Sequence, residues 1–356
     1  MHLLHVVGAR PNFMKVAPVI RAFRDRSDIE QTLVHTGQHY DPNLSDIFFE
    51  QLEIPRPDVS LEVGSGSHAK QTAEIMIRFE ETVLEHKPDW VMVYGDINST
   101  VAAALVAAKL GIKVAHVEAG LRSFDREMPE ELNRLVTDQL SDLLLTTSPE
   151  AEQNLANEGV PGEKVHFVGN VMIDTVRYLV DKATMPRVPG LDGEYSLLTM
   201  HRPSNVDVPE TLTRIIAALK DISQQIPIVF PIHPRTKSRI EALDANVLDT
   251  PNIIVLEPVG YLESLALQKH AKFVMTDSGG LQEETTALGV PCLTIRENTE
   301  RPITVTEGTN TLVGTDMDHL RAEVNKILAG DGKAGRIPEK WDGHAAERIV
   351  GVLTTV

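Results

Sequence analysis

Short runs rich in β-branched and other apolar residues alternate with longer amphipathic segments along the whole chain. HLLHVVG precedes PVIRAFRDR; then come QTLVHTG, WVMVYGD with a helix expected from about Ser99 to Leu110, KVAHVEA, DLLLTTS and VHFVG. Strand patterns alternating with helical ones argue for βαβ units, that is, a parallel sheet with helices on both faces. Between residues 181 and 194 the text becomes DKATMPRVPGLDGE, rich in Pro and Gly and without an apolar period. That stretch predicts a domain junction and a hinge. A second series follows: YSLLTMH, a helix from about Val208 to Gln224, IPIVFPIH, NIIVLEP, KFVMTDS, VPCLTI and TLVGT. The expected fold class is α/β, with two Rossmann-like doubly wound parallel-sheet domains facing a cleft. Their expected bounds are 1–185 and 186–340, and a weak helical pattern from about Ala345 occupies 341–356. A chain of 356 residues suits this division, because single cores stop growing well before that length.

Composition narrows the partners. Acidic residues number 51 against 34 basic ones, a net charge of −17, which speaks against nucleic acid or anionic lipid as a partner. A polyanionic substrate must then meet a local cluster of cations. No apolar run approaches the ~20 residues of a membrane span, and MHLLHVVG enters a core strand without the basic segment of a signal peptide. The expectation is a cytoplasmic protein that does not cross a membrane. Cys292, the one cysteine, sits in the apolar run GVPCLTI and reads as a buried, inert thiol.

In open parallel sheets ligands bind beyond the carboxyl ends of the strands, and most unusual residues of this sequence fall there. After the first strand, Gly8-Ala9-Arg10-Pro11-Asn12-Phe13-Met14-Lys15 offers a tight turn, a proline that suits a helix start and two cations able to grip phosphate. The same segment lacks the second and third glycines of Gly-x-Gly-x-x-Gly, so NAD is not expected. No metal-ligand spacing and no P-loop string occurs, and the cofactor expectation is none. Thr276-Asp277-Ser278-Gly279-Gly280 precedes a helix ending near Gly289; Ser278 is placed to cap it, and the glycines bare amides at its positive end, suited to a diphosphate. One turn on, Glu284 is placed to accept hydrogen bonds from a ribose diol.

Three acids follow first-domain strands: Asp96 in YGD, Glu118 in HVEAG, and Glu130 or Glu131 in MPEE. Acids gathered in one place can supply both a base and an acid. Each also has a structural reading: Asp96 as a helix cap, Glu118 as a partner of Arg122, and Glu130 or Glu131 as a first-turn acid. Among the histidines, His201 in TMHRPSN stands at a strand end beside Arg202, whereas His116 and His233 read as structural.

In order, GARPNFMK, HTGQHYD, VYGDINST, HVEAGLRS, MPEELNR, MHRPSN, TDSGGLQEE and ENTERPITVTEGTN resemble the non-hydrolysing UDP-N-acetylglucosamine 2-epimerases from about residue 3 to 315. The resemblance implies the two-Rossmann GT-B architecture, an active site between the domains and a C-terminal helix that returns to the first. It also implies a homodimer and a UDP-sugar substrate. Carried onto matching positions, it makes Asp96, Glu118, Glu130 and His201 catalytic. Arg10, Lys15, Val259, Ser278, Gly279, Gly280, Glu284 and Arg301 become substrate-binding. Pro258-Val259-Gly260-Tyr261 stands where backbone reads the uracil, although Val-Gly replaces the Gln-Glu of some members. The implied reaction is reversible inversion at C2 by anti elimination of UDP and re-addition through 2-acetamidoglucal. Alternatives are a UDP-2,3-diacetamido glucuronic acid 2-epimerase, a hydrolysing 2-epimerase and a GT-B glycosyltransferase. Members activated by their own substrate tend to read Gln-His-Arg where this chain has Gln38-His39-Tyr40-Asp41-Pro42, which puts that regulation in doubt.

Overall fold

A computed structural model describes residues 1–37, 49–243 and 247–355, with the Arg10 side chain outside the described set. The Gln38–Pro42 segment, and with it the expectation about substrate activation, lies outside the described residues. The chain divides into two compact units, Met1–Tyr178 with Glu339–Val356, and Leu179–Pro338.

The first unit is built on seven strands: β1 (His2–Val7), β2 (Glu30–His35), β3 (Val59–Ser60), β4 (Trp90–Tyr94), β5 (Lys113–Ala119), β6 (Leu143–Thr146) and β7 (Val165–Phe167). Their order across the sheet is β3-β2-β1-β4-β5-β6-β7 and every pairing is parallel. Because β1 leads outward to β2 and β3 before the chain crosses back to β4, the winding reverses between β1 and β4, the place where such sheets bind ligands. The central strands are buried on both faces and mostly apolar, as a sheet covered twice by helices requires. The helix Asn98–Lys109 carries alanines at its buried positions, small enough for the flanking helices His68–His86 and Pro129–Leu140 to lie against it. The expected start near Ser99 is off by a single residue.

The C-terminal segment belongs to this first unit. Trp341 is buried and its indole N–H donates to the Thr147 carbonyl at 2.9 Å. The Asp174 carboxylate accepts from Ala345 N and Ala346 N at 3.1 and 2.7 Å, satisfying first-turn amides of the helix Ala345–Leu353.

The second unit carries β8 (Ser196–Thr199), β9 (Ile228–Pro231), β10 (Ile253–Leu256), β11 (Phe273–Thr276), β12 (Cys292–Thr294) and β13 (Asn310–Leu312), ordered β10-β9-β8-β11-β12-β13 and again parallel. Its winding reverses between β8 and β11. The helix Pro209–Ser223 packs Leu212, Ile215, Ile216 and Leu219 into a core with Leu198, Phe230 and Met275. Cys292 is fully buried in β12 and burial pushes its thiol up to about 11, so it is protonated and inert at neutral pH. Both sheets are therefore of the doubly wound α/β class expected from the pattern. Among the described residues no helix is long and apolar enough to cross a membrane.

Candidate functional site

In the first unit the turn after β1 is held across the reversal point. Asn12 Oδ1 accepts from Gly8 N and Ala9 N at 3.1 and 3.2 Å, while its Nδ2 donates to the Tyr94 carbonyl at the end of β4, 2.8 Å away. Gly8 is required by space: a Cβ there would lie 2.2 Å from Ser99 Oγ and 2.6 Å from Thr36 Oγ1. The helix that follows, Arg10–Phe23, carries Lys15 inward to an ion pair with Glu118, and both side chains are almost wholly buried. The sequence alternative that paired Glu118 with Arg122 is corrected. Glu118 has φ 76°, and the β5–β6 register shifts between Val117 and Ala119. This bulge turns the carboxylate toward Lys15, while Arg122 pairs with Asp138 and Glu158, each at 2.7 Å. A non-glycine residue in the left-handed region costs about 1–3 kcal/mol and persists where surrounding structure fixes it.

Asp96 follows Gly95, whose φ is 63° and whose missing Cβ would lie 2.7 Å from Lys15 Nζ. Asp96 caps no helix; the helix start is Ile97, without a side-chain cap. Its carboxylate pairs instead with Arg134, whose guanidinium also grips Glu131 Oε2 at 2.7 Å. Glu131 is buried and accepts from Ser123 N and Phe124 N at 2.9 Å and from Ser123 Oγ at 3.0 Å. Burial alone would raise its carboxyl, but the Ser123 hydrogen bonds and Arg134 outweigh that and hold it below the ordinary range. Glu130, one residue earlier, is half-buried and makes no hydrogen bond or ion pair among the described residues. Of the two adjacent acids, Glu131 is thus fixed in structure and Glu130 is left available.

Behind these residues lies a network that the sequence reading missed. His116 donates from Nδ1 to Asp138 Oδ1 at 2.6 Å and from Nε2 to the Gly95 carbonyl at 2.8 Å. Asp138 Oδ2 accepts from Gly120 N at 3.1 Å. Burial would raise Asp138, but His116 and Arg122 hold it below the usual carboxylate range. The signal was absent from sequence, since Asp138 lies deep in the helix Pro129–Leu140 where an acid normally reads as solvent-facing.

In the second unit the reversal point is bridged by Asp277. Its fully buried carboxylate accepts from His201 N at 3.0 Å, Arg202 N at 2.9 Å and Asn205 Nδ2 at 3.2 Å, and the His201 imidazole lies 3.2 Å away through Nδ1. Burial works against the charge, yet His201 and the two amides keep the carboxyl below its ordinary value. The remainder of the His201 ring is exposed at the end of β8. Asp277 stands in the TDSGG string directly after β11, so its place was legible although its role was not. His233 is exposed and accepts from Arg235 N at 3.2 Å.

Ser278 occupies the first position before the helix Gly279–Leu288, but the expected side-chain cap is absent: no hydroxyl-to-amide bond forms, and the Ser278 amide donates to Thr276 Oγ1 at 3.0 Å. First-turn amides of such a helix have no intrahelical acceptor. A Cβ on Gly279 would lie 2.7 Å from Arg301 Nη1 and 2.8 Å from Glu300 Oε1, so glycine lets the Arg301 guanidinium cross the helix start. Arg301 is buried between Glu283 (3.0 Å) and Glu300 (2.5 Å). Glu284 is buried, accepts from Tyr261 Oη at 3.1 Å and Gln268 Nε2 at 2.7 Å, and burial pushes its carboxyl up to about 7. Gly280 follows in the same first turn. Val259 packs its side chain on the apolar cluster around Tyr195 and Leu197, just before the helix Tyr261–His270.

Residues 21–354 match the family model described as UDP-N-acetylglucosamine 2-epimerase. A UDP-N-acetylglucosamine 2-epimerase of Methanocaldococcus jannaschii is 44% identical, with 99% of each chain covered. A UDP-2,3-diacetamido-2,3-dideoxy-D-glucuronate 2-epimerase of Pseudomonas aeruginosa is 43% identical, again over 99% of each chain. The crystal structure of M. jannaschii UDP-GlcNAc 2-epimerase in complex with UDP-GlcNAc and UDP superimposes with a TM-score of 0.91 at 42% identity, covering both chains completely. With the family model spanning nearly the whole chain and relatives this similar over their full length, the chain belongs to the UDP-N-acetylglucosamine 2-epimerase family.

Proposed function

We propose that the chain interconverts UDP-N-acetylglucosamine and UDP-N-acetylmannosamine without hydrolysis. The observation that carries this reading is the set of three acids in the first unit, two at neighbouring strand ends and one in the first turn of the helix Pro129–Leu140: Glu118 paired with Lys15, Asp96 paired with Arg134, and Glu130 without a partner among the described residues. The hydrogen on C2 has no adjacent carbonyl to acidify it, so direct deprotonation and return is too slow. Loss of the anomeric substituent solves the problem. A base takes the C2 proton, the C2–H electrons form the C1=C2 bond, and the C1–O bond breaks with its electrons leaving on UDP. In the return step the UDP oxygen attacks C1 while an acid delivers a proton to the opposite face of C2. No oxidant or reductant enters this sequence. Asp96, Glu118 and Glu130 carry the proton transfers.

Departing UDP is a trianion-like leaving group, and stabilising it is the largest demand on the site. Arg10, Lys15 and His201 supply positive charge to the diphosphate, joined by the Ser278 hydroxyl and the amides of Gly279 and Gly280. Arg301 completes the grip, Glu284 takes the ribose hydroxyls and the Val259 backbone meets the base.

A second reading rests on the P. aeruginosa relative, which is as similar as the N-acetylglucosamine enzymes: the same chemistry on a sugar with a 3-acetamido group and a C6 carboxylate. Incubation with either UDP-sugar in D2O, followed by NMR, decides between them. Deuterium at C2 of UDP-N-acetylmannosamine supports the first reading, turnover of the diacetamido sugar alone the second. Free N-acetylmannosamine with UDP would overturn the non-hydrolysing assignment.

A further inference from the structure

We propose that Asp138 is a positioning residue for this epimerisation, acting through His116 and Gly120 on the two turns that present Asp96 and Glu118. The inference rests on the reading of those acids given above. The Asp138 side chain is fully buried, so it does not touch substrate. From one oxygen it holds His116, whose other ring nitrogen holds the Gly95 carbonyl, the peptide group immediately before Asp96. From the other it holds the Gly120 amide, two residues after Glu118, together with Arg122. One buried carboxylate thus fixes both catalytic turns.

Both ring nitrogens of His116 meet oxygen atoms, one on the Asp138 carboxylate and one on the Gly95 carbonyl. Asp138 and Glu158 both pair with the Arg122 guanidinium. Such a cluster is costly to break, because removing one member leaves buried charge unpaired. The turns it fixes are those that need fixing: Gly95, Glu118 and Gly120 have φ of 63°, 76° and 79°. Conformations of this kind persist only where the surroundings over-determine them, and Asp138 does so from two sides. Catalysis depends on this because a displacement of about 1 Å in a reacting group can cost about 10²-fold in rate.

The test uses Asp138→Asn and His116→Gln, singly and together. Asn keeps the shape but removes the charge that pairs with Arg122, and with its oxygen on Gly120 it can meet His116 only by donating from Nδ2, in place of the carboxylate contact. Each single variant should lose about 10²-fold in kcat, with KM and the Kd for UDP within threefold of wild type. The double variant should be no worse than the poorer single, as coupled residues require. Misplaced acids should also let the glucal escape, raising the ratio of free UDP and 2-acetamidoglucal to epimer, a ratio that a smaller fraction of folded protein would not change. Wild-type kcat in either folded variant, independent additive losses, or a raised KM at unchanged kcat would overturn the proposal. If Asp138→Asn does not fold, the kcat, UDP affinity and product ratio of His116→Gln decide alone. Wild-type protein inert toward both UDP-sugars sinks the functional reading itself, whereas an active wild type with an unimpaired variant sinks only the positioning role.

Discussion

The two units place polar residues at the same topological position and treat them in opposite ways. At the β1/β4 reversal the acids Asp96 and Glu118 are paired with the cations Arg134 and Lys15, on turns with left-handed backbone. At the β8/β11 reversal Glu284 accepts from the neutral donors Tyr261 and Gln268, and Asp277 meets two amides, an asparagine and one imidazole. The difference follows from the work proposed for each. Proton transfer needs several acids close together without mutual repulsion, which interleaved cations provide. Holding a nucleotide needs donors and open backbone, and these are supplied by glycine, by neutral side chains and by the Arg301 guanidinium at the Gly279 helix start.

The comparison breaks most readily at Glu118. Glu118→Gln should lower kcat by about 10²–10⁴-fold while the Kd for UDP, measured by calorimetry, stays within twofold. Because Lys15 is left buried without its partner, denaturant unfolding should also show a loss of about 3–5 kcal/mol. Parallel loss of UDP binding would end the division of labour between units. Gly95→Ala comes next. The new methyl would press on Lys15 Nζ at 2.7 Å in a backbone with φ 63°, and kcat should fall by about tenfold or more with a strain cost of about 1–3 kcal/mol.

The reciprocal experiment is Gly279→Ala, whose Cβ would meet Arg301 and Glu300. UDP affinity should weaken about tenfold, or about 1.4 kcal/mol, with kcat at saturation little changed; a kcat defect at unchanged affinity would contradict the assignment. The smallest expected effect is the pH dependence of Glu284. Burial raises its carboxyl from the ordinary 4.5 to about 7, so the folded protein binds the extra proton between those values. The cost of holding its charge is fully present above about pH 7 and shrinks as pH falls toward 4.5. Glu284→Gln carries no such cost, and its Tm relative to wild type should rise by a few degrees between pH 5 and 8 in thermal melts. A flat difference across that range would remove the desolvated charge from the account.

Strand ends, the turn at Gly8, the bare helix start at Gly279 and the class of both sheets were legible because periods of two and 3.6 residues and the placing of these glycines are local properties. Partners were not legible. The nearby Arg122 offered itself to Glu118 in sequence, yet a bulge and one positive φ gave Glu118 to Lys15. Likewise Ser278 has the residue type and position of a cap but leaves the amides of its helix uncapped.

By itself the sequence determined two parallel α/β series, the strand ends at which chemistry belongs and the family to which the motifs point. Only the tertiary structure decided which acid meets which cation, that Glu131 rather than Glu130 is locked in place, and that Asp138 and Asp277 organise the turns around them. The physical reason is that strand order sets these contacts: β1, β4 and β5 lie side by side in space although long stretches of chain separate them, and no local period encodes that adjacency.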